Sequence, residues 1–234
     1  MSQTQRKTLT LFVLVLIGIN MRPLLTSIGP LLPQLRHATG MSFTLVSLLT
    51  ALPVIAMGVL ALAGGWVNRH VSENRSIALS LLAISIGAML RELAPQSGLL
   101  LSSALLGGIG IGVIQAIIPS VIKRLFHRRT PQVMGLWSAA LMGGGGLGAA
   151  ITPWLAQHSA LWHHALAWWT LPALAAIIGW LPLCKMLPAA PVAASAHVAP
   201  AVFRHHRAWT LGLYFGLING GYASLIAWLP PYYM

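Results

Sequence analysis

Apolar runs of about twenty residues return along the whole length of this chain, and short polar joints separate most of them. A helix of that length crosses the hydrocarbon core of a bilayer. We count seven such runs, at roughly 8–33, 44–67, 76–94, 99–122, 133–155, 162–185 and 208–230. In hydrocarbon every backbone polar group must be satisfied within the protein, so only helices and closed barrels span. Runs of this length select helices, because a spanning strand needs only about ten residues. Composition agrees: 57% of the 234 residues are hydrophobic and 7% are charged, where a soluble domain has about a quarter charged. The expected fold is an all-α membrane protein.

The joints carry the charge. Placing the N-terminus in the cytoplasm puts Arg6, Lys7, Arg69, Arg75, Lys123, Arg124, Arg128, Arg129, Lys185, Arg204 and Arg207 on that side, eleven of the fourteen basic residues. That asymmetry satisfies the positive-inside rule. The net charge of +12 therefore reads as a topology signal, and nucleic acid is not expected as a partner. Arg6 and Lys7 before an apolar run resemble a signal peptide, but no small-residue cleavage site follows, so the first span is expected to be retained. The one cysteine, Cys184, has no partner for an internal disulfide. Residues 186–206 form an Ala/Pro-rich linker without helical periodicity. They divide the chain into a six-span unit (1–185) and a seventh span (207–234).

One charge is out of place. Arg22 lies inside the first apolar run, in "GINMRPLLTSIGP". A charge at a helix centre costs at least ~2.5–3.5 kcal/mol, and such residues face a bundle interior or a watery cavity. Helical spacing puts Gly18, Arg22, Thr26 and Gly29 on one stripe. Pro23, Pro30 and Pro33 each remove a backbone donor, which frees carbonyls along the span. The alternative is a structural arginine, paired or bonded to carbonyls. The sequence has only two acids, Glu73 in a joint and Glu92 at a span end, and neither is expected at the depth of Arg22. The same deficit leaves no carboxylate at a span centre to carry a proton or cage sodium. A cationic substrate fits poorly; an anionic or small neutral polar one fits better.

Other spans add polar groups. Gln115 shares a face of the fourth span with Gly108, Gly112 and Pro119; substrate contact and an interhelical hydrogen bond are both open to it. The fifth span carries "GGGGLGAAITP", whose Gly143–Gly146 and Gly148 fit tight packing or a rocking interface, with Gly143 and Gly146 singled out. In the seventh, Gly212, Gly216 and Gly220 form a packing stripe, and Phe215, Asn219 and Tyr222 form a candidate cavity face. A shift of 88 residues aligns the second span with the fifth, matching Gly58 with Gly146 and Trp66 with Trp154. That fits a three-plus-three repeat within a six-span half. His158, His163 and His164 do not read as a metal site, because their loop holds no Cys, Asp or Glu. No cofactor motif, nucleophile elbow, HExxH or P-loop is present, so an enzyme is not expected.

The joint "GGWVNRHVSENR" resembles the loop 2–3 signature of the major facilitator superfamily. Gly64 and Arg69 fit it, and Asn68 stands at the usual acidic position. The stretches "NMRPLLTSIGPLLPQLR", "MSFTLVSLLTALPV", "GLWSAALMGGGGLGAAITPWL" and "LGLYFGLINGGYASLIAWLP" are similar to the bacterial cyanate transporters of that superfamily, a group whose relatives include exporters of nitroimidazole-type compounds. The resemblance implies a twelve-helix fold of two six-helix halves and alternating access to a central cavity lined by spans 1, 4 and 7. It implies a multi-pass protein of the bacterial inner membrane that carries a small anion, cyanate. Arg22 would bind the anion, and Thr26, Gln115, Asn219 and Tyr222 would orient it. Against that pattern the chain reads as truncated after its seventh span, and a non-transporting fragment is the competing expectation.

Overall fold

The computed structural model describes residues 3–93, 96–159, 161–186 and 205–232. The first run is not one rod. Helix α1 (Gln3–Met21) stops at Arg22; α2 (Pro23–Thr26), a 3-10 turn (Gly29–Leu31) and α3 (Leu32–Thr39) follow. Pro23, Pro30 and Pro33 each open a new segment at its first or second position. There the missing N–H loses no helical bond. Gly40 ends α3 with φ 66° and donates its N–H to the Arg36 carbonyl at 2.9 Å, a left-handed cap that glycine adopts without strain.

Six long helical units follow. They are α4 (Phe43–His70), α5 (Glu73–Leu90), α6 (Ser97–Leu125), α7 (Thr130–His158), the pair α8 (Trp162–Ala167) and α9 (Thr170–Met186), and α10 (His206–Tyr232). A 3-10 turn over Arg91–Leu93 extends α5. Among the described residues, six stretches from Gln5–Thr39 to Trp162–Met186 are long and apolar enough to cross a membrane. These are the first six expected runs. The seventh is α10, whose 27 residues give about 40 Å at 1.5 Å per residue. The sixth run differs from expectation by breaking at Trp168 and Trp169, whose rings meet edge to face at 5.7 Å. Trp169 Nε1 donates to Thr152 Oγ1 at 2.9 Å, which fixes the break against α7. Of the 186–206 linker, 187–204 lie outside the described residues.

The helices pack by a rule the repeat explains. Helices α4 and α5 both pack on α6, α7 and α9 both pack on α1, and α5 packs on α9. Under a three-plus-three repeat, spans 1, 2 and 3 correspond to 4, 5 and 6. Each contact is then the image of another or of itself. Lipid tails give helices no hydrophobic reason to associate, so close backbone approach supplies the attraction. Gly112 lies against Met57 and Leu60, where an added Cβ would come within 3.0 Å of the Met57 Cα. On α7 the touching glycines are Gly144 and Gly148, not the pair singled out. A Cβ on Gly144 would collide with the Ile19 carbonyl, and one on Gly148 with Thr26 and Pro23. The Ile19 carbonyl lies four residues before Pro23, which has no N–H to offer it. Glycine thus lets α7 close over the gap in the first span. Gly143 and Gly146 meet nothing within 4 Å, because the stripe through 144 and 148 turns them away. Gly64, Asn68 and Arg69 fall in the helical backbone of α4, with side chains outside the described residues.

The two acids sit at opposite ends of the bundle. At one end Glu73 pairs with Arg124 at 2.8 Å and accepts a hydrogen bond from Ser120 at 2.9 Å. Beside this end a cleft of about 620 Å³ gathers Lys7, His127, Arg128 and Arg129. At the other end Glu92 pairs with His164. The packing predicts that Gly144→Ala lowers the thermal midpoint of the detergent-purified protein, at a cost of about 1–3 kcal/mol for the overlap. Gly146→Ala, where a Cβ has open space, should leave the midpoint within error. Equal midpoints would contradict the close approach.

Candidate functional site

A cavity of about 980 Å³ opens where the first span is broken. Arg22 lines it from the joint between α1 and α2, Gln115 from α6 and Asn219 from α10. Thr50, Met57 and Gly58 of α4 and Trp137, Ser138 and Met142 of α7 complete much of the wall. Helices α5 and α9 back the bundle and do not line it. Among the described lining residues Arg22 is the only charged one, and none is a carboxylate.

Local geometry explains why Arg22 faces this space. Its backbone turns at φ −96°, ψ −29°. Its carbonyl accepts from the N–H groups of Leu25 and Thr26 at 2.9 and 3.1 Å, so the helix restarts at once. The side chain is half-buried. Thr26 also lines the cavity, but its hydroxyl hydrogen is committed to the Gly145 carbonyl at 2.8 Å. A hydroxyl has one donor, which leaves Thr26 only lone pairs to offer a ligand and gives it a part in holding α2 to α7. Gln115 is half-buried. Asn219 is half-buried as well, and the side chains of Phe215 and Tyr222 lie outside the described residues. Gly212 and Gly216, expected as a packing stripe, line the cavity, and a Cβ there would meet nothing within 4 Å.

Arg91 is not among the residues singled out from the sequence. It is fully buried, 1% exposed. Its guanidinium donates to the Leu24 carbonyl at 2.8 Å, and more weakly to Ser27 Oγ and Ser103 Oγ at 3.4 Å each. Leu24 lies in the last turn of α2, where carbonyls lack helical donors. Arg91 therefore satisfies the break from behind while Arg22 faces the cavity in front. The signal was present, since Arg91 precedes "EL" at the end of an apolar run. What was absent was any sign that three oxygens, from Leu24 on α2, from Ser27 just after it and from Ser103 on α6, would converge on it. Trp137 was also passed over. It lies within "GLWSAALMGGGG" and packs against Gly18, whose added Cβ would come within 3.2 Å of its ring.

A helical, multi-pass membrane protein with repeat-related packing around a cavity that holds a few polar groups is the class this fold and site define. The sequence profile of the Major Facilitator Superfamily matches residues 9–234, and the chain belongs to that superfamily. It is 67% identical over 224 residues to the cyanate transport protein CynX of Escherichia coli (strain K12), covering 96% of this chain and 58% of that protein. It is 28% identical over 218 residues to the 2-nitroimidazole transporter of the same organism, covering 93% of this chain and 55% of that one. The chain thus spans a little over half the length of these relatives. In fold it is similar to a crystal structure of tetrameric PepTSo2, with a TM-score of 0.68 at 15% identity, covering 97% of this chain and 49% of that chain. A peptide transporter POT in complex with sulfate gives the same TM-score at 13% identity, covering 97% and 50%.

Arg91 carries a further prediction. Arg91→Lys keeps the buried charge but loses the planar fork that reaches several oxygens at once. It should lower unfolding stability by about 1–3 kcal/mol, the range for orphaned buried polar groups, measured by denaturant titration in micelles. Unchanged stability would show that the guanidinium geometry is not needed.

Proposed function

We propose that these residues form part of a secondary transporter that moves a small anion, cyanate, across the bacterial inner membrane by alternating access. The observation that carries the reading is the cavity in which Arg22 meets Gln115 and Asn219 without a carboxylate in its described lining. The chain's two side-chain acids are paired at the bundle ends, far from this use. A guanidinium binds a small anion by its charge and by charge-assisted N–H donation. The side-chain NH2 groups of Gln115 and Asn219 can donate, which suits a small ion whose nitrogen and oxygen ends both accept. The identity to the E. coli cyanate transport protein supports cyanate as that ion. Chemistry at the ion is not part of the proposal: the site binds and releases and makes no covalent step.

The topology proposed has the N-terminus in the cytoplasm. The cleft lined by Lys7, Arg128 and Arg129 and the Glu73–Arg124 pair would then lie on the cytoplasmic face, where basic joints are retained. Gly58 and Gly146 occupy matching repeat positions, and both have open space beside them. Helices α4 and α7 thereby present two equivalent small-residue faces, on which the transporter would rock.

The test is uptake of labelled cyanate by cells expressing a protein of the relatives' length that carries these residues. Arg22→Ala should abolish uptake, and Arg22→Lys should retain a measurable fraction because the charge remains. Gln115→Ala should raise KM more than it lowers the maximal rate. Uptake by Arg22→Ala at the unsubstituted level would sink the proposal.

A further inference from the structure

The fold assembles a group of metal-ligand type at the end of the bundle away from Lys7 and Arg124. Glu92, His163 and His164 each offer one ligand atom, and these atoms all lie within 4.8 Å of one another. We propose that this trio is a divalent metal site of the zinc type, independent of the cavity that holds Arg22.

Nothing in the sequence points to it, because the two histidines are adjacent and their loop contains no acid. The carboxylate comes from the far end of another span. Glu92 belongs to the 3-10 turn Arg91–Leu93, and α8 packs on that turn. Arg91, one residue earlier, is anchored inward by its bond to the Leu24 carbonyl. That anchor fixes the turn and leaves Glu92 directed at α8, where it pairs with His164. The histidines are held just as firmly. Ala165 and Leu166, next along α8, are buried against Leu31, so the helix cannot roll without exposing them. The three ligands thus sit on two fixed elements, as a metal site requires.

A simple ion pair does not use the whole group. The Glu92–His164 contact leaves His163 over, and Nδ1 of His163 is buried with no hydrogen-bond partner among the described residues. A buried ring nitrogen without a partner is costly, and a metal would satisfy it. The donor set is two imidazoles and a carboxylate, which suits zinc and not the hard cations. Tetrahedral ligands at about 2.0–2.1 Å from zinc stand closer together than the present group, so side-chain rotation would close it. Three protein ligands leave a fourth position for water. Occupancy would clasp the Arg91–Leu93 turn to α8, and so tie the ends of the third and sixth spans, which already pack through α5 and α9.

The experiment titrates ZnCl₂ into the purified full chain in detergent at neutral pH, with no histidine tag, and reads binding by calorimetry and stability by thermal midpoint. One zinc per chain should bind and raise the midpoint, and MgCl₂ should not. Glu92→Gln, His163→Asn and His164→Asn should each weaken binding more than ~10-fold, the low end of the loss seen even for outer-sphere partners. Zinc-edge X-ray absorption of the unsubstituted complex tests the ligand set without relying on variants that fold. Two imidazoles with oxygen completing the shell support the site, and fewer than two imidazoles overturn it. Absence of zinc binding at micromolar concentrations, or binding unaffected by all three substitutions, would also overturn it.

Discussion

Everything at the centre of this protein depends on the interruption of its first span at Arg22 and Pro23. A continuous helix would carry Arg22 on a closed rod and would leave no carbonyl for Arg91 to meet. Pro23 removes the donor for the Ile19 carbonyl, and Pro30 and Pro33 keep the chain from recovering a single axis. In hydrocarbon such a gap is tolerated only where protein re-satisfies it. Two neighbours close on it. Helix α7 brings Gly144 and Gly148 against the gap from one side, and the Arg91 guanidinium takes the Leu24 carbonyl from another. Thr26 adds a hydrogen bond to the Gly145 carbonyl. The break is a built element held by α7 and by the turn that ends α5.

Magnitudes indicate what Arg91 contributes. A charge costs ~2.5–3.5 kcal/mol at a helix centre on insertion scales, an upper figure for Arg91 at a span end. Its three hydrogen bonds, one short and two long, return an amount of the same order if each is worth ~0.6–1.7 kcal/mol, the measured span for membrane interiors. Arg91 then adds little net stability. Its effect is positional: it selects one geometry for α2, and α2 carries the joint from which Arg22 reaches the cavity. The two arginines divide the work, buried Arg91 holding the frame and half-buried Arg22 facing the space that the frame creates.

The spans, the repeat and the cavity-facing residues were legible because they follow from periodicity and cost. Twenty apolar residues require a helix, a charge among them requires a reason, and matching positions 88 residues apart require matching contacts. Arg22, Gln115 and Asn219 were found this way, and the structure brings them to one cavity. What escaped depends on rotation and on distance in sequence. In a run of four glycines, composition cannot say which face turns inward, so Gly143 and Gly146 stood in for Gly144 and Gly148. Arg91 was passed over because its partners lie on and just after α2 and on α6. Glu92 was not joined to His163 and His164 because some seventy residues separate them. The sixth span hid its break at Trp168 and Trp169, which contains neither glycine nor proline.

The central claim is that the broken first span presents Arg22 to a small anion. The most direct measurement is the anomalous signal of selenocyanate, a linear anion marked by selenium, soaked into crystals of a protein of the relatives' length that carries these residues. The account predicts a selenium peak inside the cavity beside the Arg22 guanidinium, displaced by excess cyanate and absent from Arg22→Ala crystals. A peak elsewhere, or one that survives the loss of Arg22, would contradict it.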